Sequence, residues 1–114
     1  LVCLFGCGGN RARSRRFEMG EVSGHLADLT IITSDNPRNE DPMDIIRDIT
    51  ASMRSEEYTV IPNREEAITH VIRHARRGDI ILLAGKGHET YQIIGKEKRH
   101  FDEKEIISNY INEL

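Results

Sequence analysis

Four short apolar runs lie at residues 1–6 (LVCLFG), 28–34 (DLTIITS), 57–61 (EYTVI) and 79–84 (DIILLA), each too short for a helix and each rich in β-formers. Between them the apolar residues change period. Phe17, Met19, Val22 and Leu26 recur at near-helical spacing, which predicts a helix over 16–27 with those residues on its buried face. Asp41-Pro42 is a helix start with proline at the first helical position, continued by Ile45, Ile46, Ile49 and Met53. Asn63, with Glu66 three residues later, starts a third helix whose buried stripe is Ala67, Ile68, Val71, Ile72 and Ala75, with Gly78 as its stop. Residues 90–94 and 98–101 read as a hairpin around Gly95, and 102–113 as a last helix. Such an alternation predicts an α/β domain over residues 1–114: three layers, a mainly parallel sheet with helices on both faces, and a C-terminal hairpin and helix. The run 79–84 is the most continuously apolar, and is expected to be a central strand.

That order of elements has a functional consequence. In open parallel sheets, ligands gather at the carboxyl ends of the strands. The three segments of unusual composition, GCGGNR, SDNPR and AGKGHE, each follow directly after a predicted strand. All three should therefore share one edge of the sheet, and that edge is the expected site.

Composition narrows what it binds. A net charge of −3 lacks the basic surplus of a nucleic-acid binder, so no nucleic acid is expected as a partner. No apolar run approaches the ~20 residues of a membrane span, and no membrane partner is expected either. Cys3 and Cys7 are too few for a disulfide framework and have no zinc-spaced companions; they read as free thiols in a reducing cytoplasm. The chain opens inside a strand-like run without an initiator Met, as a piece cut from a longer protein would.

The first motif, Gly6-Cys7-Gly8-Gly9-Asn10-Arg11, is not a dinucleotide fingerprint, because Arg11 stands where the third glycine of GxGxxG belongs. It is either a plain structural turn or a turn whose exposed N–H groups receive an anion. Arg11, Arg13, Arg15 and Arg16 follow at the start of a helix, where the dipole disfavours cations. They are a solvated helix start, or some of them meet a carboxylate or phosphate.

In the second motif Pro37 fixes φ and biases Asn36 towards an extended backbone, giving a rigid turn. It carries Asp35, Asn36 and Arg38, a set able to read a zwitterionic amino acid, with Arg38 on its carboxylate; it is also what an ordinary turn contains. In the third, Gly85 and Gly87 permit close backbone approach and Glu89 offers a carboxylate to an ammonium group, without the spacing of a phosphate loop. His88 reads as a hydrogen-bonding loop residue, and His25, His70, His74 and His100 as structural; no metal site is expected.

FGCGGNR, SDNPR and AGKGHETYQ, in this order and at these separations, resemble the C-terminal domain of the Mur ligase family. The resemblance covers essentially the whole chain, and DNPR is similar to the motif of members that add meso-diaminopimelate to a UDP-N-acetylmuramoyl dipeptide. It implies a Rossmann-like domain that presents the incoming amino acid to a central ATPase domain. There ATP, with Mg²⁺, activates the dipeptide carboxylate for attack by the amine in the cytoplasm, as a step of peptidoglycan synthesis. ATP and Mg²⁺ would be held mainly by that other domain, and the excised domain would be inactive alone. By motif match, Arg11, Asp35, Asn36, Pro37, Arg38, Gly85 and Glu89 form the diaminopimelate site. Arg11 and Arg38 would take its carboxylates, and the Gly85 carbonyl with Glu89 its distal ammonium.

The chain departs from the family pattern at Asn10 and Ala12, where acids are usual, and at Phe17, where proline is usual, which leaves the basic run less balanced. Two other readings remain: a stand-alone Rossmann-like module binding an amino acid or nucleotide, and a related amide ligase of the polyglutamate-forming kind.

Overall fold

A computed structural model of the chain describes residues 1–53, 57–86 and 89–113. Among them the order is β1 (Val2–Phe5), α1 (Ser14–Leu26), β2 (Leu29–Ile32), α2 (Pro42–Ala51), β3 (Tyr58–Val60), α3 (Arg64–His74), β4 (Ile81–Leu83), β5 (Tyr91–Ile94), β6 (Glu97–His100) and α4 (Glu103–Glu113). The four first strands form a parallel sheet in the order β3-β2-β1-β4, and β5 pairs with β6 in an antiparallel hairpin. This is the expected α/β architecture.

Alternation along β1 divides the core. Cys3 and Phe5 point to one face, where they pack with Ile32 of β2 and Ile45, Ile46 and Ile49 of α2. Leu4 points to the other, with Ile31 of β2, Ala67, Ile68 and Val71 of α3, and Phe101. Period-2 strands between period-3.6 stripes thus make one sheet with two apolar faces.

The predicted caps form. The Asp41 side chain accepts from Met43 N at 2.9 Å, and the Asn63 side chain accepts from Glu66 N at 3.0 Å, each satisfying a helix-end donor.

Three expectations are corrected. β4 is an edge strand, with Ile80 and Leu82 exposed, while β1 and β2 are central. An apolar run by itself does not fix a strand's place in the sheet. In α1 the helix is present but the buried face is Arg16, Gly20 and Ser23; Phe17, Val22 and Leu26 are exposed. Gly20 decides that rotation: a Cβ there would lie 2.2 Å from Ser52 Oγ and 2.5 Å from the Ile49 carbonyl, so α1 crosses α2 at a point only glycine allows. Finally, α3 ends at His74 with Ala75 extended and exposed, and Gly78 (φ +92°) serves a separate turn closed by Asp79 N on the Arg76 carbonyl.

One buried side chain fastens the strand ends that carry the loops. Arg64 donates Nε to Glu103 at 2.9 Å, Nη1 to the Ser34 carbonyl at 3.0 Å and Nη2 to the Ala84 carbonyl at 3.3 Å. It therefore joins the exits of β2 and β4 to the start of α4. Removing one member of a buried ion pair strands the other, so Arg64→Ala should cost about 3–5 kcal/mol. The measurement is the urea midpoint at unchanged slope; a shift within the error of the wild-type curve would show that water replaces the guanidinium.

Candidate amino-acid site at the sheet edge

The loops after β1, β2 and β4 meet at the carboxyl edge of the sheet, around an open cavity of about 730 Å³. Gly6, Gly8 and Arg11 line it from the first loop, Asp35, Asn36 and Arg38 from the second, and Gly85 and Glu89 from the third. Of the residues expected at the site, Arg11, Asp35, Asn36, Arg38, Gly85 and Glu89 are thus brought together on one wall system. Pro37 is not on the wall. It is buried behind it, and its carbonyl would lie 1.8 Å from a Cβ placed on Gly9. Gly87 and His88 lie outside the described residues.

The glycines of the first motif therefore have a packing reason. Gly6 faces the Thr33 carbonyl, where a Cβ would come to 2.5 Å, and Gly9 faces Pro37 while its N–H donates to the Asn36 carbonyl at 2.8 Å. The first loop lies flat on the second because neither glycine carries a side chain. Gly85 has φ +99°, a conformation that L side chains rarely adopt.

Asn36 is buried and connects all three loops. Its Oδ1 accepts from Ile93 N at 2.9 Å and from Lys86 Nζ at 3.3 Å, and its Nδ2 donates to Glu89 Oε1 at 3.2 Å. Arg38 stands next to it with φ +53°, uncommon for a residue with a side chain. The β5 strand holds that backbone in place: Arg38 N donates to the Ile93 carbonyl at 3.0 Å, and Gly95 N donates to the Arg38 carbonyl. Arg38 Nη1 donates to the Gly9 carbonyl at 2.9 Å and the Asn36 carbonyl at 3.3 Å. Among the described residues its Nε and Nη2 donate to nothing, so two guanidinium nitrogens remain for a ligand.

One important residue was not visible from sequence. Lys86 is buried, its ammonium within 3.0 Å of Asp35 Oδ1 and 3.4 Å of Glu89 Oε1. The signal was present as a lysine between glycines, but a phosphate-loop lysine and a buried counter-ion look alike in a string. Arg16, 2% exposed, bears out the reading in which some of the basic run meets carboxylates, and its two carboxylate partners, Glu40 and Asp48, lie more than twenty residues away.

The family model for "Mur ligase, glutamate ligase domain" matches residues 1–87, more than half of the chain. The chain belongs to the Mur ligase family. It is 50% identical over its whole length to UDP-N-acetylmuramoyl-L-alanyl-D-glutamate–2,6-diaminopimelate ligase 1 of Clostridium acetobutylicum, covering 24% of that protein. It is 53% identical over 92% of its length to the corresponding ligase of Trichormus variabilis, covering 21% of that one. A solved structure of a ligase of that name superposes with a TM-score of 0.93 at 38% identity, over 98% of this chain and 23% of the other. The chain thus spans about a quarter of the length of these relatives.

In this Mur ligase domain the basic run divides by function. Arg13 donates to Asp48 at 2.8 and 3.0 Å; Arg16 donates to Asp48 at 2.8 Å, to Glu40 at 2.7 Å and to the Gly8 carbonyl at 3.4 Å. These two are clamped between α1 and α2. Arg11 and Arg15 are exposed and line the cavity, and among the described residues the Arg15 guanidinium makes no hydrogen bond or ion pair. The balance missing at positions 10 and 12 therefore comes from α2 and the turn before it. Asn10 itself, at φ +56°, gives its N–H to Glu40 and accepts from Asn39 N at 3.2 Å.

The clamp leaves an electrostatic signature. Hydrogen bonds from Arg13, then Arg16, hold the Asp48 carboxyl down at about 2. A hydrogen bond from Arg16, then one from the Asn10 amide, holds Glu40 below the usual carboxylate range. Burial pushes the Cys7 thiol up to about 11, and Cys3 and Cys7 are both free and buried, so neither is a ready nucleophile.

A carboxylate with a lowered folded pKa contributes stability above its unfolded value and loses it as the pH falls through the folded one. Asp48 should therefore stabilise the domain fully above 3.8 and progressively less as the pH falls to about 2. Asp48→Asn should flatten that part of the acid-unfolding curve; parallel curves for variant and wild type would show that the clamp is not a source of stability.

Proposed function

We propose that this domain binds meso-diaminopimelate for a cytoplasmic, ATP-dependent ligase that joins it to UDP-N-acetylmuramoyl-L-alanyl-D-glutamate in peptidoglycan synthesis. The observation that carries this reading is the composition of one cavity: free guanidinium nitrogens from Arg11, Arg15 and Arg38, with carboxylates from Asp35 and Glu89. An amino acid with carboxylate and ammonium groups at both ends matches such a wall. The names of the most similar relatives support the same substrate.

In this reading Arg38 and Arg11 receive carboxylates, and Glu89 with the Gly85 carbonyl receives the distal ammonium. Asp35 and Asn36 complete the polar wall, and Pro37 sets the turn from behind. The work of the domain is to hold the amine at the reacting carboxyl of the other substrate. Fixed orientation alone is worth several powers of ten in rate, and closure over the site would exclude water from the activated group.

ATP and Mg²⁺ do not fit this chain by itself. The family resemblance assigns both mainly to the central domain of the ligase, and among the described residues no group of three His, Cys, Asp or Glu side chains could hold a metal ion. No described helix is long and apolar enough to cross a membrane. A free-standing amino-acid module is the weaker reading, since the relatives that match end to end carry this domain as about a quarter of a longer ligase.

The experiment is phosphate release by the full-length parent with the muramoyl dipeptide and a panel of meso-diaminopimelate, L-lysine and D-glutamate. Turnover with diaminopimelate alone is expected; turnover with lysine instead would overturn the meaning given to Asp35–Arg38. Arg38→Ala should raise the KM for diaminopimelate by a factor matching about 2–5 kcal/mol. Glu89→Gln should weaken diaminopimelate more than 2-aminopimelate, which lacks the distal ammonium; equal losses would remove Glu89 from that role.

A further inference from the structure

The geometry points to Lys86 as a positioning residue that aims the Glu89 carboxylate, and so sets the preference for an amino acid carrying a second ammonium group. This rests on the assignment of Glu89 above, and goes beyond it by naming what holds that carboxylate. The Lys86 side chain is fully buried, and its ammonium cannot reach the cavity as a ligand contact. It lies instead 3.0 Å from Asp35 Oδ1, 3.3 Å from Asn36 Oδ1 and 3.4 Å from Glu89 Oε1. The Tyr91 and Phe101 rings, with centroids 5.8 and 5.9 Å away, close it in from the hairpin side.

A buried ammonium is costly unless its donors are matched, and here each of the three has an oxygen partner. The arrangement has two effects on Glu89. Its Oε1 receives donors from both Lys86 and Asn36, at 3.4 and 3.2 Å, which leaves Oε2 for a ligand. The formal charges of Asp35, Glu89 and Lys86 sum to −1, the count that one incoming ammonium neutralises. Without Lys86 the carboxylates of Asp35 and Glu89 would have no cation between them, Asn36 Nδ2 alone would hold Glu89, and Glu89, 29% exposed, is the one able to swing away.

The test is a double-mutant cycle in the full-length parent, with Lys86→Met, Glu89→Gln and both together, read as KM and kcat for diaminopimelate and for 2-aminopimelate. Lys86→Met should raise the KM for diaminopimelate by roughly ten- to a hundredfold, the scale on which a misplaced group acts. It should leave kcat and the KM for 2-aminopimelate nearly unchanged. In the Glu89→Gln background the same substitution should add nothing, because a residue that acts through Glu89 has no further effect once Glu89 is gone.

Additive losses, or a fall in kcat for both amino acids, would make Lys86 a packing residue and overturn the proposal. Should Lys86→Met alone fail to fold, the double variant decides: a KM equal to that of Glu89→Gln supports the role, while a higher KM or a second failure to fold ends it. A wild-type parent that uses a different diamino acid would sink the substrate reading and leave the cycle to be run with that amino acid.

Discussion

The site depends on one buried carboxamide. Asn36 lies at the exit of β2, and through its backbone and side chain it touches every loop that forms the cavity. Its carbonyl takes the Gly9 N–H, its Oδ1 takes the Ile93 N–H and the Lys86 ammonium, and its Nδ2 holds Glu89. An amide is the side chain that can accept and donate at once from a single short stem. Aspartate in its place would lose the donor to Glu89 and put a third carboxylate beside Asp35 and Glu89. Glutamine would be a methylene too long for a turn in which Pro37 is already packed against Gly9. Asn36 therefore contributes by fixing where Arg38 and Glu89 stand, more than by any single contact it could make with a ligand.

Around that hub the chain accumulates buried charge, and each charge joins segments that are remote in sequence. Arg64 binds the exits of β2 and β4 to α4; Arg16 binds the first loop to α2; Lys86 binds the third loop to the second. Buried pairs are weak sources of net stability but strongly directional. For the proposed role of the site, which is alignment, directionality is the useful property. The apolar faces hold the sheet together, and the ion pairs, with the bridge from Arg38 to β5, determine the relative height of the three loops.

The fold was legible because its signals are local. Period-2 runs, helix stripes, the caps at Asp41 and Asn63 and the hairpin around Gly95 each involve residues within a few positions of one another. The shared sheet edge followed from β-α-β order alone. Two of the errors have one source. Which face of α1 is buried depends on Gly20 meeting Ser52 and Ile49, and whether β4 is central depends on what lies beside it; neither partner is near in sequence. The burial of Lys86 was illegible for the same reason, since a charged residue is buried only when distant oxygens receive it, and which of the arginines meets a carboxylate stayed open until Glu40 and Asp48 were placed. Six of the residues that motif matching named do line the cavity, and Pro37, which does not, is the one whose side chain has no polar atom to offer.

The departures in the first loop can be understood on the same terms. Asn10 occupies a left-handed conformation that asparagine tolerates better than most residues, and its N–H points at Glu40. An aspartate there would carry a second negative charge towards the Glu40 carboxylate, which already serves Arg16. Acidic partners for Arg13 and Arg16 come from α2 and the turn before it, as Asp48 and Glu40. Arg11 and Arg15 are then released from internal pairing and face the cavity. The loop keeps a basic wall because Asp48 and Glu40 engage the side chains at the start of α1 and leave the guanidinium groups of Arg11 and Arg15 at the cavity.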